Sequence, residues 1–371
     1  MSPAPVPSAW RHVLVVRLDN MGDVLMCTPA MRALKQAAPQ AKLTLLTSPS
    51  GARLAPHLDM VDGVTVFRAS WVKPGHTGVV DDEADLVNWL RSERVDVAVV
   101  MTSATQSPLP MAMLCRMAGI PVRVAHAREN PYALLSHWRR DVDKLGPGMR
   151  HEVERQLDLV GTLGVPRPDS LRLGLTVRDA DRLAARNALL AAGVMPGGPY
   201  IVVHPGATAP SRRYPAAMMG EAVRGLVAEG WTCVFCGSED EREAVRTARE
   251  AIAGPTADLC AQLTLGELAA LIEGASLLIG NNSGPAHMAA ALGTPVVCLY
   301  ALTNPQHTPW QVPARVMSHD VPCRDCLQSV CPQPGHPCLR NVAPHDVAIA
   351  ARTLLAQPLA PVEPVHARAT C

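Results

Sequence analysis

Three stretches of this sequence set small, hydroxyl-bearing and charged residues between an apolar run and a helix-forming one. Open α/β sheets hold their ligands in such turns, at the carboxyl ends of their strands. The first is Val13-Leu-Val-Val-Arg-Leu-Asp-Asn-Met-Gly-Asp-Val-Leu25, with Asp23 where a helix begins. A carboxylate there caps the helix or takes a proton from a bound hydroxyl, and spacing alone leaves both roles open. The second is His204-Pro-Gly-Ala-Thr-Ala-Pro-Ser-Arg-Arg-Tyr-Pro215. Gly206 lets backbone approach a ligand, Thr208 and Ser211 offer hydroxyls, and Arg212 and Arg213 offer forks suited to phosphate. Solvated arginines on a surface loop are the alternative. The third is Gly280-Asn-Asn-Ser-Gly-Pro-Ala-His287, where Pro285 opens a helix. Free N–H groups and the helix dipole make that start a seat for a diphosphate. His287 either touches the phosphate or satisfies a hydrogen bond in the core.

Two further groups carry weaker signals. Cys236-Gly-Ser-Glu-Asp-Glu241 also follows an apolar strand, and its acids bind ribose hydroxyls or cap a helix. Cys323, Cys326, Cys331 and Cys338 place four thiols in one short stretch. Soft thiolates of that kind hold zinc or an iron–sulfur cluster, in a structural more than a catalytic role.

The elements that must position these loops follow an α/β pattern of apolar strands alternating with amphipathic helices. Strands are expected at 13–17, 42–47, 64–67, 95–101 and 122–125, with helices at 24–37, 82–91 and 110–118. From 123 to 173 the pattern weakens into loops. It restarts with strands at 200–204, 232–236, 277–280 and 296–300, and helices near 215–229, 239–253, 265–274 and 285–292. A chain of 371 residues exceeds one ordinary core. Two domains are therefore expected, 1–173 and 174–343, followed by a helix at 344–357 and a disordered tail at 358–371.

Composition removes several classes of function. A net charge of +1 gives no global attraction to nucleic acid. Met1 to Ala9 has neither a basic start nor an apolar run, and eleven cysteines make an odd number, so a reducing, cytoplasmic setting is expected. The stretch 280–314 lacks Asp, Glu, Lys and Arg, yet its prolines and glycines break it too often for a membrane helix. Gly22 stands alone in the first loop, so the Gly-x-Gly-x-x-Gly fingerprint of a nicotinamide enzyme is missing.

Taken in order, Arg-Leu-Asp-Asn-Met-Gly-Asp-Val-Leu, His-Pro-Gly-Ala with Arg-Arg-Tyr-Pro, Leu-Thr-Leu-Gly-Glu-Leu-Ala-Ala-Leu-Ile, and Asn-Asn-Ser-Gly-Pro-Ala-His with Leu-Gly-Thr-Pro-Val-Val resemble the heptosyltransferase family, glycosyltransferase family 9. The resemblance runs from about Val13 to Leu355. It implies a GT-B architecture of two Rossmann-like domains whose parallel sheets face a cleft, with the helix at 344–357 crossing back to the first domain. It implies an inverting, metal-independent transfer of a sugar, heptose from ADP-heptose, onto a lipopolysaccharide core or related glycan.

Asp23 falls at the family's catalytic base. The donor positions are Thr208, Ser211, Arg212, Glu241, Leu263, Asn282, Ser283, Gly284 and His287. Arg139 and Arg140 belong to a locally basic stretch that could hold an anionic, lipid-linked acceptor at the membrane face, a solvated loop being the alternative. Three positions depart from the family: Arg212 for Lys, Tyr214 for Trp, and Asn282 for Asp. The last removes a negative charge near the donor sugar. A sugar-nucleotide epimerase of GT-B shape and a non-enzymatic sugar-binding protein are the remaining alternatives.

Overall fold

A computed structural model of the chain describes residues 7–72, 80–144, 148–195, 197–254 and 256–357. The expected tail at 358–371 lies outside the described residues. The first half runs β1 (His12–Arg17), α1 (Met21–Ala37), β2 (Lys42–Thr47), α2 (Pro49–Ala52), β3 (Gly63–Val66), α3 (Val80–Ser92), β4 (Val97–Val100), α4 (Leu109–Met117), β5 (Val122–Ala127), β6 (His137–Arg140) and α5 (Glu152–Gly161). The second runs α6 (Asp179–Ala191), β7 (Tyr200–His204), α7 (Ala216–Ala228), β8 (Thr232–Phe235), α8 (Arg242–Glu250), β9 (Thr256–Asp258), α9 (Leu265–Glu273), β10 (Leu277–Asn281), α10 (Gly284–Leu292), β11 (Val296–Leu299), β12 (Ala314–Met317), α11 (Pro337–Arg340) and α12 (Pro344–Leu355).

Each half builds one six-stranded sheet, in the orders β3-β2-β1-β4-β5-β6 and β12-β11-β10-β7-β8-β9, and the strand pairs are parallel. Parallel strands need helical crossovers, so both faces of each sheet are covered. Accordingly β1, β4, β7, β10 and β11 are buried along their whole length. Strand order reverses between β1 and β4 and between β7 and β10, which opens a crevice at their carboxyl ends. The first, second and third loops of the sequence lie at these two reversals.

The inner layer is shared. Val13, Val15 and the buried side of α1 belong to the same apolar cluster as Leu278, Val296 and the buried side of α10, and α1 packs directly on α10. The two helices that follow the first and third loops are thus set against each other. Pro29 interrupts α1 and removes the N–H that the Leu25 carbonyl would accept. The Thr28 hydroxyl takes that place at 2.6 Å, and its oxygen in turn accepts the Gly174 N–H at 2.7 Å. An irregularity in the helix thereby ties down the segment joining the two halves.

One expectation is corrected here. The helix at 344–357 does not cross back: α12 packs on α7 and on β10 to β12, with Val347, Ala350, Ala351 and Leu354 in the second sheet's outer core. Those residues form an apolar stripe at helical spacing, and the nearest uncovered apolar face is that of the second sheet. No helix among the described residues is long and apolar enough to cross a membrane.

Candidate active site

At the amino end of α1, Asn20 and Asp23 form a reciprocal cap, in which the Asn20 N–H donates to Asp23 Oδ2 at 3.2 Å. Asp23 Oδ1 faces Arg17 Nη2 at 3.3 Å. Arg17 is wholly buried, and its shorter contacts go elsewhere: Nε to Asp19 Oδ2 at 2.8 Å and Nη1 to Glu152 Oε1 at 2.5 Å. A buried guanidinium needs such partners, since an unpaired charge in the interior is strongly destabilising. Burial works against the charge on Glu152, yet Arg17 and Arg155 hold its carboxyl down at about 2. Asp19 is pushed up, by burial first, with Arg17 pulling the other way. Both Asp19 oxygens are engaged, the second by the Gln106 amide at 2.5 Å, and its side chain is 11% exposed against 20% for Asp23. Both carboxylates border the cleft described next, and Asp23 is the more exposed of the two.

Asp23 opens onto a cleft of about 260 Å³ that it shares with Asn20, Arg212, Ser283, Gly284, His287, Asn304 and His307. Arg212 enters from the second domain. Its Nε is buried without a hydrogen-bond partner among the described residues, a cation presented to the cleft with no carboxylate on it. His287 stands behind Gly22, and burial above all pushes its imidazole down to about 3, so it is neutral near pH 7. The contact is close: a Cβ on Gly22 would lie 2.6 Å from His287 Cδ2, and one on Gly284 would lie 2.9 Å from Met21 Sδ. Gly22→Ala is expected to wedge α1 from α10, at roughly 1–3 kcal/mol as for other overpacked sites. Denaturant titration should show that loss; an unchanged midpoint would mean that the seam is soft.

A second cavity of about 200 Å³ continues from Ser283 and Gly284 and is lined by Thr208, Glu241, Leu263, Leu265, Leu268 and Met288. Glu241 lies over Gly206, where a Cβ would meet its carboxylate at 2.0 Å. Burial opposes its charge, but His204 and the Ser238 N–H and hydroxyl hold the carboxyl down at about 2. The walls thus pair one anchored carboxylate with apolar side chains, a combination suited to ribose hydroxyls and a flat base. The second and third loops are joined by Asn281, which sequence reasoning passed over. Its amide donates to the Pro205 carbonyl at 2.8 Å and to that of Gly206 at 3.2 Å, while its oxygen accepts the Tyr214 N–H at 3.0 Å.

Several expected residues are occupied elsewhere. Both ends of the Asn282 amide bond Ala301 backbone, at 3.0 and 3.3 Å, although the residue borders the cleft. Ser211 is buried outside both of these cavities, its hydroxyl donating to the Gln328 carbonyl at 2.7 Å. Cys323, Cys326, Cys331 and Cys338 line one small cavity of about 30 Å³. Among the described residues, however, no three His, Cys, Asp or Glu side chains are grouped to hold a metal ion, so the zinc or iron–sulfur expectation finds no support in this geometry. Arg139 and Arg140 sit on the edge strand β6 and do not line the cleft, and Arg139 meets Asp158 at 3.5 Å. Much of the basic stretch is consumed internally: Arg123 donates to the Leu134 carbonyl, and Arg150 pairs with Asp143 and Asp158. Residues that the sequence did not single out complete the site, namely Arg17, Asp19, Glu152, Asn304 and His307.

The model of the family described as glycosyltransferase family 9 (heptosyltransferase) matches residues 84–336. A lipopolysaccharide heptosyltransferase 1 of Pseudomonas aeruginosa is 28% identical over 86% of this chain and 87% of that protein. The solved structure of an ADP-heptose lipopolysaccharide heptosyltransferase II of E. coli superposes with a TM-score of 0.72 at 25% identity, covering 93% of this chain and 98% of the other. A family 9 glycosyl transferase from Veillonella parvula shares the fold with a TM-score of 0.79 at 22% identity, over 93% and 97% of the two chains. With two parallel sheets of the GT-B type facing one cleft and a family match over most of its length, this chain belongs to glycosyltransferase family 9 (heptosyltransferase) and is a glycosyltransferase.

Proposed function

We propose that the chain moves heptose from ADP-heptose onto a hydroxyl of a lipopolysaccharide core or related glycan, by a single displacement that inverts the anomeric carbon. The observation that carries this reading is the pairing across one cleft: an open carboxylate, Asp23, from the first domain and an uncompensated guanidinium, Arg212, from the second. The acceptor oxygen forms its bond to the anomeric carbon as its proton passes to Asp23. The bond from that carbon to the diphosphate breaks, and ADP leaves with the electron pair. Arg212 and the free N–H groups at the start of α10 meet the charge that grows on the departing oxygen, in place before the reaction begins. Thr208, Leu263 and Glu241 hold the nucleoside in the second cavity, and Ser283, Gly284 and His287 border the diphosphate. On the acceptor side, Arg140 is exposed at the carboxyl end of β6, on the cleft edge of the sheet, and is the contact we assign to an anionic, lipid-linked acceptor. The setting is the cytoplasm, with peripheral contact to the membrane that bears the acceptor.

A thermal-shift panel of nucleotide sugars tests the donor. A ligand at a hundredfold excess over Kd stabilises by roughly 2.7 kcal/mol. ADP and ADP-heptose are expected to raise the melting temperature. Stabilisation by uridine or guanosine nucleotides alone would overturn the assignment of donor. Product with retained anomeric configuration would overturn the mechanism. The family match favours transfer over the epimerase and sugar-binding alternatives.

A further inference from the structure

Asp23 is held loosely by its own domain. Its contacts to Arg17 and to the Asn20 N–H, at 3.3 and 3.2 Å, are long for bonds to a charged group, which run nearer 2.7–2.9 Å. Arg17 spends its short contacts on Asp19 and Glu152. The third neighbour comes from the other domain: His307 Nδ1 lies 3.7 Å from Asp23 Oδ1, in the same cleft.

The loop that carries His307 is fixed against the first domain on its carboxyl side. His151, at the start of α5, donates from Nε2 to the Thr308 carbonyl at 2.9 Å, since its Nδ1 accepts the Val153 N–H. Trp310 stacks on the His151 ring at 4.4 Å and donates from its indole N–H to the Leu171 carbonyl at 2.8 Å. On its amino side, the Asn304 side chain accepts the Gln306 N–H at 3.0 Å, and the Tyr300 hydroxyl donates to the Asn304 carbonyl at 2.5 Å.

We propose that His307, supplied by the donor domain, is a positioning residue for Asp23: its Nδ1 stands 3.7 Å from Oδ1, just beyond hydrogen-bond reach, and fixes the carboxylate for proton abstraction when the contact shortens in the substrate-loaded cleft. The inference rests on the reading of Asp23 as the base. Burial pushes the His307 imidazole down to about 4, against Glu152 and with help from the cations Arg17 and Arg212, so the ring is neutral near pH 7. A neutral ring has one N–H, and a carboxylate opposite Nδ1 selects the tautomer that places it there. A neutral donor orients the base without the loss of basicity that a second cation would impose. The device also ties the readiness of the base to the presence of the donor half of the site.

The test compares His307→Ala, His307→Asn and His307→Gln with Asp23→Asn, measuring kcat, both KM values, ADP affinity by calorimetry and melting temperature. The Asn amide nitrogen occupies the place of Nδ1, whereas that of Gln lies one carbon farther out. The expected result is about a tenfold lower kcat in His307→Ala, the size of one lost hydrogen bond. ADP affinity should be unchanged, with most of the rate restored by Asn and not by Gln. An unchanged kcat in His307→Ala overturns the inference. So does a parallel loss of ADP affinity and melting temperature that Asn fails to restore, which marks a merely structural residue. Asp23→Asn that keeps its turnover removes the base reading itself, whatever the His307 variants do.

Discussion

Asp23→Asn is expected to bind ADP as the parent does and to turn over about 10²- to 10⁴-fold more slowly, the usual contribution of a positioned general base. The amide keeps the shape of the carboxylate and one oxygen to cap α1, so the fold should survive with little change in melting temperature. What it loses is a site for the acceptor's proton. Neighbouring Asp19 is a poor substitute, because Arg17 and Gln106 occupy both of its oxygens and burial favours its protonated form. Product formation followed by chromatography, beside calorimetric titration with ADP, separates the two effects. Turnover within tenfold of the parent would remove Asp23 from that role.

Arg212→Ala should lose activity without losing stability. The rate is expected to fall about 10²- to 10³-fold, as when one preorganised donor to a developing anion is removed, and ADP should bind more weakly. Without nucleotide the variant should melt no lower than the parent, because the guanidinium carries a buried Nε with no partner among the described residues. A side chain kept for stability would show the reverse. Arg212→Lys should recover only part of the rate, since an ammonium is a point charge and not a planar fork. Calorimetry of the free and ADP-loaded variants distinguishes these outcomes; a parent-like rate with a parent-like ADP shift would rule out a diphosphate contact.

How legible all this was depended on how each residue is buried. The inner strands could be read because they are covered on both faces and so spell unbroken apolar runs, as at Val13 to Val16 and Tyr200 to Val203. The strands β6, β9 and β12 were missed, since each is short and lies at a sheet edge, where polar residues such as Arg139 and Arg140 are tolerated. The helix α5 was missed for a subtler reason: three residues of its buried side are Glu152, Arg155 and Gln156, which look like surface until their partners across the fold are known. The second and third loops could be located because each follows a legible strand. His307 was not, because its partner lies in the other domain, 284 positions away in the chain by subtraction of 23 from 307.

Asn281 has a consequence for how a nucleotide arrives. One amide bridges the two loops proposed to receive it, through hydrogen bonds made wholly within the chain. Loops tied together by the protein's own hydrogen bonds have less freedom to lose to a nucleotide, so less entropy of ordering is expected to be subtracted from the contacts that such a ligand makes. Affinity at this half of the enzyme should therefore track the chemistry of the ligand more closely than its ability to organise the protein.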